Sequence, residues 1–228
     1  MTEEDYKEGQ LILIDKPLGW TSFQVVNKVR WLIKKKFHLK KLKVGHAGTL
    51  DPLASGLLIV CTGKFTKKID DFQAQEKEYT GTFTLGATTP SYDAETEINL
   101  RFNLSELTED AVKNNVSHFI GKIQQQPPIF SALKKEGKRL YEYARSGEEV
   151  AIPTREILIS EFELTRIAIP EVDFRVVCSK GTYIRSLAHD FGKKLNNGAY
   201  LSKLRRTKIG DFHVDNAVSI EYLETILR

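Results

Sequence analysis

Cysteine, methionine and long apolar runs are what this sequence has least of. Only two cysteines, Cys61 and Cys178, occur in 228 residues. They sit in apolar, strand-like contexts without CxxC spacing, so reduced core thiols are expected rather than a disulfide or a metal site. The longest compact apolar run, Leu57 to Cys61, is far shorter than the ~18 residues a membrane-spanning helix needs, and the acidic start Met1 to Gly9 has no signal-peptide pattern. A cytoplasmic protein with no membrane association is expected. With 41% hydrophobic residues the chain can build a buried core.

Acids are scarce in two places. From Lys16 to Ile69 the cations Lys16, Lys28, Arg30, Lys34, Lys35, Lys36, Lys40, Lys41, Lys43, Lys64, Lys67 and Lys68 are accompanied by one acid, Asp51. A second acid-free stretch follows Asp190 and carries Lys193, Lys194, Lys203, Arg205, Arg206 and Lys208. The net charge of +4 says little about partners, but two such stretches suit a phosphate-binding face. The alternative is a set of ordinary solvated lysines.

Strand and helix signals alternate irregularly. Gln10 to Asp15 reads as a strand ending in a Lys-Pro-Leu-Gly turn, and Thr21 with Gln24 makes a capping box for a helix to about Lys36, with Phe23, Val26, Val29 or Arg30, and Ile33 inward. Leu57 to Thr62 and Glu78 to Leu85 read as strands. A loop with Gly86, Pro90 and Asp93 follows, and Thr108 opens a helix that Gly121 closes. Residues 124 to 152, with Gln124 to Pro128 at their start, form an irregular excursion mixing aromatics and lysines. Ile157 to Ile167 and Val172 to Cys178 are paired strands, Ile184 to Leu195 a helix, Tyr200 to Ile209 a strand, and Ser219 caps a last helix. This mixture without strict βαβ alternation predicts an α+β domain around a mixed sheet.

Several residues are candidates for chemistry. Asp51 stands between the glycine-rich approach of Gly45 and Gly48 and the following Pro52, directly before a strand. It is either an Asp-Pro turn cap or, as a lone carboxylate among cations, a nucleophile or base. His46 has no neighbours at metal-ligand spacing, leaving a structural histidine, a base or an RNA contact. Tyr183 and Arg185 lie at a strand-to-helix turn, off the apolar face of Ile184 and Leu187; they face either solvent or a cleft. Tyr79 opens a strand and reads as core or as a functional ring.

In order along nearly the whole chain, the sequence carries Asp-Lys-Pro-Leu-Gly-Trp-Thr-Ser at Asp15 to Ser22, Gly-His-Ala-Gly-Thr-Leu-Asp-Pro-Leu-Ala-Ser-Gly-Leu-Leu at Gly45 to Leu58 and Lys-Glu-Tyr at Lys77 to Tyr79. Ser-Ala-Leu-Lys and Gly-Lys-Arg-Leu-Tyr-Glu-Tyr-Ala-Arg follow within Ser131 to Arg145, then Cys-Ser-Lys-Gly-Thr-Tyr-Ile-Arg at Cys178 to Arg185 and Leu-Arg-Arg at Leu204 to Arg206. This set strongly resembles the bacterial TruB family of tRNA pseudouridine-55 synthases.

The resemblance implies the pseudouridine synthase fold, mainly antiparallel with flanking helices, and a single catalytic domain over 1–228 with a thumb at about 124–152 that clamps the tRNA T stem-loop. It implies isomerisation of a T-loop uridine without cofactor or metal; a monomer is the default expectation. Asp51 would be the catalytic carboxylate, Arg185 its partner, and Tyr183 a ring against the base that assists proton removal. Tyr79 would stack on the uracil, His46 would hold the refolded RNA loop, and Leu204 would line the pocket wall. Lys134, Lys16 and Lys67 match further lysines of the family. The small C-terminal RNA-binding domain of many relatives is expected to be absent, and tRNA binding accordingly more salt-sensitive. The alternatives are a guide-RNA-dependent synthase of the dyskerin type, a tRNA-folding chaperone, and an RNA-binding module with a dead site.

Overall fold

The computed structural model describes residues 2–148 and 150–227; Met1, Glu149 and Arg228 lie outside the description. Contacts divide the chain into two compact units, residues 1–80 with 204–228 and residues 81–203.

The first unit opens with helix α1 (Glu3–Glu8), capped by Thr2, and strand β1 (Leu11–Lys16), whose alternate residues Ile12, Ile14 and Lys16 are buried. Helix α2 (Ser22–Lys36) begins at the expected box, with Thr21 accepting from the Gln24 N–H and the Gln24 side chain reaching back. Its inward face is Val25, Val26, Val29, Leu32 and Ile33; Phe23, expected inward, is 66% exposed. Strands β2 (Val44–Ala47) and β3 (Ala54–Thr62) follow, then a 3₁₀ turn (Gly63–Lys68) and helix α3 (Ile69–Ala74). β3 pairs antiparallel with β1, Leu11 facing Cys61, and with β2, Val44 facing Thr62. Leu58 and Val60 pack against α2, while Leu57, Ile59 and Cys61 enter a second cluster with Phe65, Ile69 and Phe72. Burial on both faces explains why β3 is an unbroken apolar run rather than an alternating one.

Strand β4 (Lys77–Leu85) carries the chain into the second unit. There a small pair, β5 (Ala87–Thr88) and β6 (Leu100–Arg101), precedes helix α4 (Glu109–Asn115), which the Thr108 hydroxyl caps. The helix gives way to a 3₁₀ turn at Val116–Phe119 before Gly121, which has φ +93° and starts β7 (Gly121–Gln125). The 124–152 excursion is more ordered than its composition suggests. It holds a hairpin of β8 (Lys134–Lys135) and β9 (Lys138–Arg139) and helix α5 (Leu140–Ser146), closed by left-handed Gly147. Long strands β10 (Arg155–Ala168) and β11 (Glu171–Cys178) pair antiparallel, β7 adds to β10, and β4 neighbours β11. Helix α6 (Ile184–Lys194) covers this layer, and its Phe191 meets a ring cluster of Phe83, Phe119 and Phe162, with Phe83 stacked 4.2 Å from Phe174.

Strand β12 (Ala199–Ile209) returns the chain to the first unit, where Leu204, Arg205 and Arg206 run parallel to Ala54, Ser55 and Gly56 of β3. Strand β13 (Phe212–His213) folds back on β12, and helix α7 (Ile220–Leu227) packs Ile220, Leu223 and Leu227 into the α2 core. The expected α+β class with a mixed, mostly antiparallel sheet is what the chain forms. Among the described residues no helix is long and apolar enough to cross a membrane.

Candidate active site

Asp51 sits on the loop between β2 and β3, and the residues on both sides of it are tied down. The buried Ser22 hydroxyl donates to the Leu50 carbonyl at 3.1 Å and accepts from the Leu50 N–H at 2.9 Å. The Gly19 N–H donates to the Pro52 carbonyl at 2.8 Å, and the Ala54 N–H closes back onto the Asp51 carbonyl at 3.0 Å. Gly19 belongs to the turn after β1 and Ser22 is the first residue of α2; Lys16 braces the turn that leads from one to the other. Its ammonium is fully buried and donates to the carbonyls of Pro17 at 3.0 Å and Trp20 at 2.6 Å. The Asp15-to-Ser22 motif is therefore the clamp on the Asp51 loop.

The charges around this loop act on one another. Burial lowers the Lys16 ammonium to about 8, with the Asp51 charge pulling the other way and Arg206 adding to the fall. His46, on β2, is likewise lowered, by burial first and Arg206 second, against a backbone hydrogen bond with Gly48. A neutral imidazole follows, whose Nδ1 is buried without a hydrogen-bond partner. Tyr79 is buried on β4, Leu204 is half-buried beside Ala54, and Lys67 is exposed at the end of the 3₁₀ turn.

The second unit holds Tyr183 and Arg185 at the start of α6. The Gln125 side chain bonds both backbone groups of Tyr183, accepting from its N–H at 2.8 Å and donating to its carbonyl at 3.0 Å. The Arg155 guanidinium lies 4.8 Å from the centre of the Tyr183 ring. Arg185 is not a solvent-facing first-turn residue: it is 6% exposed, with Nη1 donating to the Phe130 carbonyl at 2.9 Å and Nε 3.5 Å from the Asp93 carboxylate. Asp93, itself buried, also accepts from the Ser91 hydroxyl at 2.6 Å and the Glu95 N–H at 2.9 Å, so it is a fixed anchor.

Residues 34–184 match the family described as TruB family pseudouridylate synthase (N terminal domain), and residues 185–228 match the tRNA pseudouridylate synthase B C-terminal domain. The tRNA pseudouridine synthase B of Flavobacterium johnsoniae is 62% identical over 229 residues, covering 100% of each chain. That of Phocaeicola vulgatus is 52% identical, over 95% of this chain and 92% of its own. The chain belongs to the TruB family of pseudouridylate synthases. Among solved structures, this TruB-family chain is similar to one of an H/ACA RNP bound to a substrate RNA containing 2′-deoxyuridine (TM-score 0.69, 30% identity, 96% of this chain) and to a Cbf5-Nop10-Gar1 complex (TM-score 0.71, 30% identity, 99% of this chain). It spans only 53% and 56% of the length of those solved chains.

Other cations of the TruB-family chain divide by burial. Arg206 is 1% exposed and bonds the carbonyls of Leu57 and Gly48, and Arg205 grips the Asp15 carboxylate through both terminal nitrogens at 2.7 and 3.0 Å. Arg206 and Lys16, which belong to the basic stretches of the sequence, are thus engaged inside the protein, whereas Arg205 makes its ion pair with a partly exposed side chain. Lys134 is exposed on β8, and nearby Lys138 lies 4.5 Å from the Tyr143 ring while Arg139 and Arg145 approach Tyr141 at 5.8 and 5.5 Å. Cys61 and Cys178 are both buried and are not joined in a disulfide. No group of three or more His, Cys, Asp or Glu side chains able to hold a metal occurs among the described residues. Sequence reasoning missed Ser22, Asp93, Gln125 and the internal role of Arg206. Ser22 lies in a quoted motif, but its bond to Leu50 spans 28 residues and has no local signature.

Proposed function

We propose that this chain isomerises the T-loop uridine at tRNA position 55 to pseudouridine, with Asp51 as the catalytic carboxylate. The observation that carries the reading is the Asp51 segment, clamped at Leu50 and Pro52, in a chain 62% identical along its whole length to a protein named tRNA pseudouridine synthase B. A carboxylate whose neighbours on both sides are fixed keeps one position relative to a bound nucleotide, which is what positional catalysis requires. In the isomerisation the bond between ribose C1′ and base N1 breaks, the uracil turns, and C1′ bonds to C5; the C5 proton leaves and N1 takes one up. Atoms and electrons balance without an oxidant or reductant, so the chemistry asks for no redox cofactor. We also assign no metal.

Tyr183 and Arg185 are assigned to the same reaction, and Tyr79, His46 and Leu204 to holding the extruded base and its loop. Extrusion costs a few kcal/mol, which stacking on aromatic rings and phosphate contacts offset. The hairpin and helix within 124–152, with exposed Lys134 and its neighbouring Arg139 and Arg145, suit a thumb on the T stem-loop, and exposed Lys67 suits a phosphate contact; Lys16 supports the loop from within. The reading extends to a monomer in the cytoplasm, where buried Cys61 and Cys178 stay reduced.

Incubating unmodified tRNA with the purified protein in EDTA and mapping pseudouridine tests this. Modification at the T-loop uridine is expected, and Asp51→Asn is expected to abolish it while tRNA binding persists. No T-loop pseudouridine would overturn the function; loss of activity in EDTA alone would overturn its metal-free part.

A further inference from the structure

Among the described side chains with under 2% exposure, Arg206 is the largest. A buried guanidinium is costly unless its N–H groups are met. Here Nε donates to the Leu57 carbonyl at 2.8 Å and Nη2 to the Gly48 carbonyl at 3.1 Å. Those carbonyls stand at the two ends of the segment 48–57 that carries Asp51. The Arg206 backbone holds the same segment, running parallel beside Gly56, where an added Cβ would come 2.3 Å from the Arg206 carbonyl oxygen. Gly48, with φ +90°, brings the near end of the loop close enough that a Cβ there would lie 3.6 Å from Nη1. The charge is felt locally as well, since Arg206 disfavours the protonated forms of both His46 and Lys16.

We propose that Arg206 is a positioning residue whose forked guanidinium staples the two ends of the Asp51 loop and thereby sets where the carboxylate stands, without touching substrate. This rests on the function proposed above. The role needs a fork with N–H groups in fixed directions; a lysine ammonium keeps the charge but is a single point on a flexible stem.

The test compares wild type, Arg206→Lys and Arg206→Met in single-turnover pseudouridine formation, tRNA affinity and backbone hydrogen exchange. Wild-type activity is the control: its absence would sink the proposed function, not this inference. With wild type active, both variants are expected to bind tRNA within about threefold of wild type while the single-turnover rate falls on the order of tenfold to a hundredfold, the scale of a small misplacement of a reacting group. Exchange is expected to quicken in 48–57 and to stay unchanged in α2 and β10. Should Arg206→Met not fold, Arg206→Lys decides alone. The inference is overturned by an Arg206→Lys rate equal to wild type, by rate losses matched by equal losses of affinity, by exchange that quickens evenly along the chain, or by failure of both variants to fold.

Discussion

Raising the pH should stabilise this protein through Lys16. Its ammonium is fully buried and lowered from 10.5 to about 8, burial being the main cause. Between those values the unfolded chain holds the proton and the native chain releases it. The unfolded state thus binds more protons, and stability rises with pH across that window. Below about 8 both states are charged and the native state bears the whole desolvation cost. The 2.5-unit interval (10.5 minus 8) caps the gain at about 3 kcal/mol, with about 1 kcal/mol reached near pH ~9 and about 2 near pH ~10. Other groups titrate there too, so the measurement is a difference: urea unfolding of wild type and Lys16→Met at several pH values. Lys16→Met leaves the Pro17 and Trp20 carbonyls without their donor, which shifts its whole curve down but adds no slope. The wild-type advantage should therefore grow with pH above about 8. A difference that stays level or shrinks from pH ~7.5 to ~10 would refute the assignment of a proton-releasing Lys16.

Ser22→Ala leaves both backbone groups of Leu50 without their hydroxyl partner, so chemical denaturation should show a loss of about 1–3 kcal/mol, with a fall in single-turnover rate larger than any fall in tRNA affinity. Burial raises Asp190 from 3.8 to about 6, so the native state binds more protons than the unfolded one across that window and stability falls as pH rises through it. Asp190→Asn should therefore gain about 1–2 kcal/mol on wild type near neutral pH and little near pH ~4, read from thermal melts at both. Changing Lys134 and Arg139 together to alanine should weaken tRNA binding and lower the slope of log affinity against log salt by about 1 per lost phosphate contact; an unchanged slope would remove these residues from the RNA contact.

Local signals placed most of the elements. The capping box at Thr21 and Gln24, the β10–β11 hairpin and the spacing of α6 all depend on interactions close in sequence, and each appears where the sequence places it. The errors have non-local causes. β3 starts at Ala54 rather than Leu57 because β12, some 150 residues later in sequence, pairs with Ala54, Ser55 and Gly56. Phe23 has the spacing of an inward residue, yet Val25 and Leu32 fill the core and Phe23 stays exposed. Arg185 lies off the apolar face of its helix and is nevertheless buried, beside the Asp93 carboxylate and bonded to the Phe130 carbonyl.

The sequence by itself determined the kind of protein: ordered motifs named the family, and the lone acid among cations singled out Asp51. Which charges face inward was decided only by the tertiary structure. A basic residue looks alike in sequence whether it meets phosphate or a carbonyl, and Lys16 and Arg206 are told apart from Lys67 and Lys134 only by the backbone oxygens the fold turns toward them, those of neighbouring Pro17 and Trp20 for Lys16 and those of distant Gly48 and Leu57 for Arg206, which make their burial tolerable. The same holds for the clamp on Asp51, since the Ser22 hydroxyl that steadies Leu50 arrives there only once α2 has packed against its strands.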